Sequence, residues 1–205
     1  MAGELNVLVL NASLKHGDKL SSTEEVTKMV LDEMQKTSPI SSETIRLSDK
    51  RIPVGLGFKE SDDDEWPDIV KKIIAADIVI FATPIWWGGR SSLMQRVIER
   101  MDAFDEEAHV EGGRSVLLNK VAGIVITGSE DGAQAVMAGI MEVLSFLNFT
   151  LPPQCCTYWV GEVGFDPATD RERRLKNKAV GAMAKATARN LVQTAKLLKE
   201  HPLTS

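Results

Sequence analysis

The residues best suited to chemistry in this chain are a set of hydroxyls with one lysine, and a pair of tryptophans. Ser13, Lys15, Ser21, Ser22 and Thr23 crowd one polar stretch. Hydroxyls and a cation at that density suit a phosphate ester, held by hydrogen bonds and charge. Trp86 and Trp87 stand side by side in Thr83-Pro84-Ile85-Trp86-Trp87-Gly88-Gly89. Neighbouring tryptophans can rarely both be core, so at least one is expected against a flat aromatic ligand. A third stretch, Thr127 to Gln134, is made of small and polar residues that include Gly128, Ser129 and Gly132. Cys155 and Cys156 are adjacent in an apolar run; neighbours make a poor disulfide, so they read as small core residues. His16, His109 and His201 lack metal-ligand spacing and read as surface residues.

The elements that must position these residues follow from the hydrophobic pattern. Leu5 to Leu10 is nearly continuous and aliphatic, as in a parallel strand buried on both faces. After the hydroxyl stretch, Glu24 to Gln35 places Val26, Met29, Val30 and Met34 at helical spacing, with Ser22 or Thr23 as the N-cap. A strand, a hydroxyl-rich loop and a helix start make an anion site, because free N–H groups and the helix dipole favour negative charge. The loop lacks both the dinucleotide glycine fingerprint and the P-loop ending, so a mononucleotide phosphate fits better than a pyrophosphate.

Thr44 to Leu47 reads as a short second strand, followed by a long loop from Ser48 to Asp64. Trp66 starts a helix, and Asp77 to Ala82 is a third strand that empties into the tryptophan turn. Ser91 to Asp102 keeps helical spacing, and Asp105 to Leu118 reads as a loop or lid. Val121 to Ile126 is a fourth strand, ending in the Gly128 loop. A helix through Met137 and Leu147, a fifth strand at Cys155 to Val160 and a long terminal helix at about 171–200, with Leu175, Ala179, Met183, Ala186, Leu191 and Ala195 or Leu198 inward, complete the chain. Five strands alternating with five helices predict one three-layer α/β domain over 1–205. A strand order of 2-1-3-4-5 would bring all three loops to one switch point.

Composition narrows the partners. The chain has 205 residues, and 29 acidic against 24 basic residues give a formal charge of −5, which argues against nucleic acid as the main partner. No apolar stretch reaches the ~20 residues of a membrane span, and Met1-Ala2-Gly3-Glu4 carries no basic region. A soluble, cytoplasmic protein without a membrane partner is expected.

The three loops together resemble the NADPH-dependent FMN reductase family and its flavodoxin-like relatives, the quinone reductases and iron-sulfur flavoproteins. Ser13 to Thr23 is similar to the family's Ser-x-Arg/Lys…Ser-x-Thr phosphate loop, in a longer version. Thr83-Pro84-Ile85-Trp86-Trp87-Gly88, continued by Ser92-Leu93-Met94-Gln95 and Ile98 to Asp102, resembles the family's Thr-Pro-x-Tyr/Trp-Trp/Tyr-Gly…Lys-x-Phe-Ile-Asp-Arg block. This block is the most specific of the three. Thr127 to Gln134 resembles the third, Gly-rich FMN loop more weakly. The iron-sulfur members' cysteine cluster is missing from Arg51 to Glu60, so no Fe–S centre is expected.

The resemblance implies a flavodoxin-like five-stranded parallel sheet, order 2-1-3-4-5, with helices on both faces. It implies FMN as cofactor and NAD(P)H as reductant, with a quinone or similar small molecule as electron acceptor. Ser13, Lys15, Ser21, Ser22 and Thr23 would hold the FMN phosphate. Pro84, Ile85, Trp86, Trp87 and Gly88 would line the ring system, with Gly128 and Ser129 beside it, and no side chain would act as acid or base. A homodimer or homotetramer is implied, with Phe58, the Asp105 to Gly113 segment and Trp159 as candidates for the acceptor wall. The alternatives are a flavodoxin-like carrier of single electrons without its own NAD(P)H oxidase activity, and a retained fold with an altered site.

Overall fold

The computed structural model describes residues 3–110, 115–129, 131–164 and 166–204, with the backbone alone over 107–110. Its sheet is built from β1 (Leu5–Asn11), β2 (Ile40–Arg46), β3 (Ile78–Trp86), the two-residue β4 (Gly89–Arg90), β5 (Val121–Gly128) and β6 (Cys156–Val160). The order is β2-β1-β3-β5-β6 with every neighbour parallel, while β4 folds back antiparallel on β3. Leaving out the hairpin strand β4, this is the 2-1-3-4-5 order of a flavodoxin-like sheet, whose switch point lies between β1 and β3.

The helices are α1 (Ser22–Thr37), α2 (Trp66–Ala75), α3 (Ser92–Arg100), α4 (Asp102–Val110), α5 (Ala133–Phe146), α6 (Pro167–Lys176) and α7 (Lys178–Glu200). Alternate strand residues face opposite layers. Val7, Val9, Ile78, Ile80 and Val125 pack with Val26, Val30 and Met34 of α1 and Ala188, Leu191 and Val192 of α7. Leu8, Leu10, Val79, Phe81 and Ile124 pack with Ile69 and Ile73 of α2, Met94 and Val97 of α3, and Ile140 and Leu144 of α5. Gly123 lets α7 approach the middle of β5, since a Cβ there would lie 2.7 Å from Leu191 Cδ1. Among the described residues no helix is long and apolar enough to cross a membrane.

Several expected boundaries move. β2 begins four residues earlier than the apolar pattern suggests, because Ser41, Ser42, Glu43 and Thr44 lie exposed on an edge strand. β3 runs through Thr83-Pro84-Ile85-Trp86, and the turn beyond it is a tight hairpin. The loop expected from Asp105 is helical to Val110, and residues 111–114 lie outside the described residues. The expected helix over about 171–200 is two helices. Asn177 ends α6 and caps α7, its Oδ1 accepting from the Ala179 and Val180 amides at 2.9 and 3.1 Å. Leu175, expected inward, is exposed, and Arg174 is buried in its place.

Candidate functional site

The carboxyl ends of β1, β3, β5 and β6 open into one cleft of about 380 Å³, a size typical of small-molecule sites. Ser13, Lys15, Ser21, Ser22 and Thr23 line one wall, Pro84, Ile85 and Trp86 another, and Gly128 and Ser129 join them from β5. Ten of the twelve residues expected to bind a ligand therefore share this cleft. Trp87 and Gly88 do not line it; they form the hairpin tip, with φ of 51° and 74°. Trp86 is 50 % exposed at the cleft and Trp87 is 91 % exposed.

The hydroxyl end is anchored from several sides. Ser21, rather than Ser22 or Thr23, is the N-cap of α1, and its Oγ accepts from the Glu24 amide at 3.4 Å. The N–H groups of the first turn have no intrahelical partner and face the loop that precedes them. Thr23 is buried, with its hydroxyl 2.8 Å from that of Thr127, which ties α1 to the end of β5. Asn11 Oδ1 accepts from the Ser13 amide at 3.0 Å, and Lys15 Nζ donates to the Leu20 carbonyl at 2.7 Å. Ser91 caps α3 and donates to the Ala12 carbonyl at 2.8 Å, which fastens the hairpin's far end to the root of the hydroxyl loop. Both acids of the first turn of α1 are ion-paired: Glu24 with Arg46, and Glu25 with Arg171 and Arg174.

The apolar end is set by close backbone approach. A Cβ on Gly128 would lie 2.8 Å from Ile85 Cβ, and one on Gly132 would lie 2.8 Å from both Cα and O of Gly88. Gly132 also has φ of 121°, a region that side-chain-bearing residues avoid. Gly132→Val is therefore expected to push the hairpin off the β5 loop and to cost about 1–3 kcal/mol of stability. Thermal melting reads the second effect, and uptake of added FMN, the cofactor that the family resemblance implies, reads the first. A native melting curve with unchanged flavin would show that the contact is dispensable.

The β6–α6 connection supplies a wall that the sequence reading missed in part. Trp159, Glu162, Val163, Gly164, Pro167 and Asp170 line it. Trp159 Nε1 donates to Asp170 Oδ1 at 3.0 Å, and Asp170 also pairs with Arg174. The Arg173 guanidinium holds the Glu162 carboxyl below the usual range. The signal was present: Asp166-Pro167 is an N-cap followed by proline at the first helical position, which places a helix start ahead of Arg171. Of the other wall candidates, Phe58 packs edge-on against Phe104 with centroids 5.0 Å apart, within the core layer. The side chains of 107–113 lie outside the described residues. Cys155 and Cys156 are free thiols; burial pushes Cys156 up to about 12, too high for a thiolate at neutral pH.

The donor set fits a phosphorylated flavin. Hydroxyls and first-turn amides gather at one end for a phosphate, and Ile85, Trp86 and Trp159 give the other end flat apolar walls. The family model and two of three relatives carry a flavin phosphate in their descriptions. Residues 5–163 match the family model described as NADPH-dependent FMN reductase. The 8-demethyl-8-aminoriboflavin-5'-phosphate synthase of Streptomyces davaonensis is 28% identical over 210 residues, covering 98% of this chain and 81% of that protein. A Mycobacterium bovis protein named divalent metal cation transporter MntH is 32% identical over 168 residues, 80% of this chain, and the chain spans only 24% of its length. The crystal structure of RosB with its bound intermediate, 8-demethyl-8-formylriboflavin-5'-phosphate, superposes with a TM-score of 0.86 at 27% identity, covering 98% of this chain and 82% of that one. A family match that spans β1 through β6, on a sheet that opens a phosphate-and-ring cleft at its switch point, leads to one assignment: the chain belongs to the NADPH-dependent FMN reductase family.

Proposed function

We propose that the chain is a cytoplasmic, FMN-dependent NAD(P)H oxidoreductase that passes electrons from reduced nicotinamide through FMN to a quinone or similar small acceptor. The observation that carries this reading is the convergence of the hydroxyl loop, the Pro84-Ile85-Trp86 segment and Gly128-Ser129 on one cleft. Ser13, Ser21, Ser22 and Thr23 would hold the phosphate, with Lys15 adding charge and the first-turn amides of α1 completing the donors. Backbone groups of Pro84 to Trp86 and Gly128 to Ser129 would meet the ring edge, and Trp86 would exclude water from it. Bound FMN supplies the hydride and electron chemistry, so the protein's share is binding, orientation and exclusion of water. A homodimer or homotetramer is part of the reading, on the strength of the family resemblance.

The test is the absorbance spectrum of the purified protein, mass spectrometry of what heat releases, and NADPH consumption with a quinone. Yellow protein that releases FMN and oxidises NADPH is expected. Colourless protein that does not take up FMN would overturn the reading, and one-electron exchange without NADPH oxidation would favour the carrier.

A second reading takes the flavin as substrate. Its support is the likeness to RosB, whose crystal structure holds a flavin phosphate altered at position 8. The same phosphate end and ring walls would bind such a molecule. Flavin recovered after turnover separates the two: unchanged FMN mass supports the oxidoreductase, and a mass change confined to the ring system supports flavin modification.

A further inference from the structure

We propose that Arg46 makes this cleft select phosphorylated over unphosphorylated flavin, as a positioning residue that acts through the hydroxyl loop and Glu24. The inference rests on the flavin reading above. Arg46 ends β2, opposite Asn11 at the root of the loop. Its Nη1 donates to the carbonyls of Lys15 at 3.5 Å, Gly17, and Lys19 at 3.1 Å. Its Nη2 pairs with the Glu24 carboxylate. Arg46 does not line the cleft.

Two consequences follow from that geometry. First, three carbonyl oxygens of one loop are turned onto a single cation outside the cleft, which directs their negative ends away from the site of an anion. A planar fork can engage several acceptors in fixed directions, as a lysine cannot. Neighbouring groups brace the same loop: the Gly17 amide donates to Asp49 Oδ1 at 3.1 Å, and Ser48 Oγ donates to the Lys15 carbonyl at 2.9 Å. Second, Glu24 follows Ser21, Ser22 and Thr23 directly in the helix start. An unpaired carboxylate there would repel a phosphate that carries nearly two negative charges. Arg46 neutralises it. Both effects act on the phosphate end alone, so they bear on FMN and leave riboflavin's ring contacts untouched.

The experiment titrates the full chain, stripped of flavin, with FMN and with riboflavin, following fluorescence quenching. The native protein is expected to prefer FMN. Arg46→Ala is expected to lose about tenfold or more in FMN affinity while riboflavin affinity changes less than about twofold. Adding Glu24→Gln to Arg46→Ala is expected to recover part of the loss, which a merely structural role for Arg46 would not allow. Equal losses for the two flavins, or an unchanged FMN preference, would overturn the proposal. A native protein that binds riboflavin as tightly as FMN would overturn the phosphate site itself, which is a different failure. Should Arg46→Ala not fold, Arg46→Lys carries the same test: a reduced FMN preference is expected, and a native one overturns the proposal.

Discussion

Replacing Arg100 by methionine is expected to destabilise the protein by about 3–5 kcal/mol, because it strands a buried charge. Arg100 and Asp64 are both fully buried, with Nη2 donating to Oδ2 at 2.7 Å. The same guanidinium donates to the carbonyls of Pro53 and Gly57, both at 3.0 Å, and lies 5.7 Å from the centre of the Trp66 ring. One side chain thus holds the loop between β2 and α2 against α3. Its loss leaves the Asp64 carboxylate with only the Trp66 and Glu60 amides and no opposite charge, and takes the guanidinium from two carbonyls, each with a desolvation cost of its own. For a chain of this size the midpoint of thermal unfolding should fall by on the order of 10 °C.

The pH dependence has a definite sign. Burial pushes the Asp64 carboxyl up, but the Arg100 guanidinium and the Trp66 and Glu60 amides outweigh it and hold it below the ordinary carboxylate range. A depressed acid contributes stability above its unfolded value and loses it as pH falls through its folded value. The gap between native and Arg100→Met should therefore be widest near neutral pH and narrow in acid. Denaturant titrations at neutral and acid pH measure it, and a variant as stable as the native protein at pH 7 would sink the argument.

The buried Arg100–Asp64 pair also marks the limit of what the sequence disclosed. Strands β1, β3 and β5 were legible because both faces are covered and their aliphatic runs are unbroken. The 2-1-3-4-5 order was an inference from shared purpose, and the sheet has it once β4 is set aside. Long-range ion pairs were not legible. Arg100 and Arg174 sit in helices where their neighbours in sequence give no sign of burial, and each is paid back by an acid far along the chain, Asp64 or Glu25. That is why Leu175 looked like the inward residue of a single long helix: hydrophobic spacing reads apolar faces and is blind to a buried guanidinium. Local capping chemistry would have corrected it, since Asp166-Pro167 and Asn177 mark the two helix starts. At the site, the hydroxyl loop was visible as composition. Its bracing by Arg46 was hidden, because β2 approaches β1 only in the folded sheet.

The tryptophan pair divides in the same way, and the division predicts unequal effects. Trp86 ends β3 with its side chain on the cleft, whereas Trp87 and Gly88 are the two central residues of the hairpin, both at positive φ. Two positive φ values in a two-residue hairpin loop are the signature of a type I′ turn, which favours asparagine followed by glycine. Trp86→Ala is expected to weaken FMN binding by about 10- to 100-fold, the range for removing an aromatic stacking partner. Trp87→Asn supplies a residue suited to the turn and is expected to leave flavin binding near native. Flavin titration of the two variants decides between the positions. Loss of flavin in Trp87→Asn with retention in Trp86→Ala would mean that the hairpin tip, and not the cleft wall, meets the ring. The expected order follows from position: Trp86 is the last residue of β3 and lines the cleft, whereas Trp87 stands in the turn beyond the strand and does not.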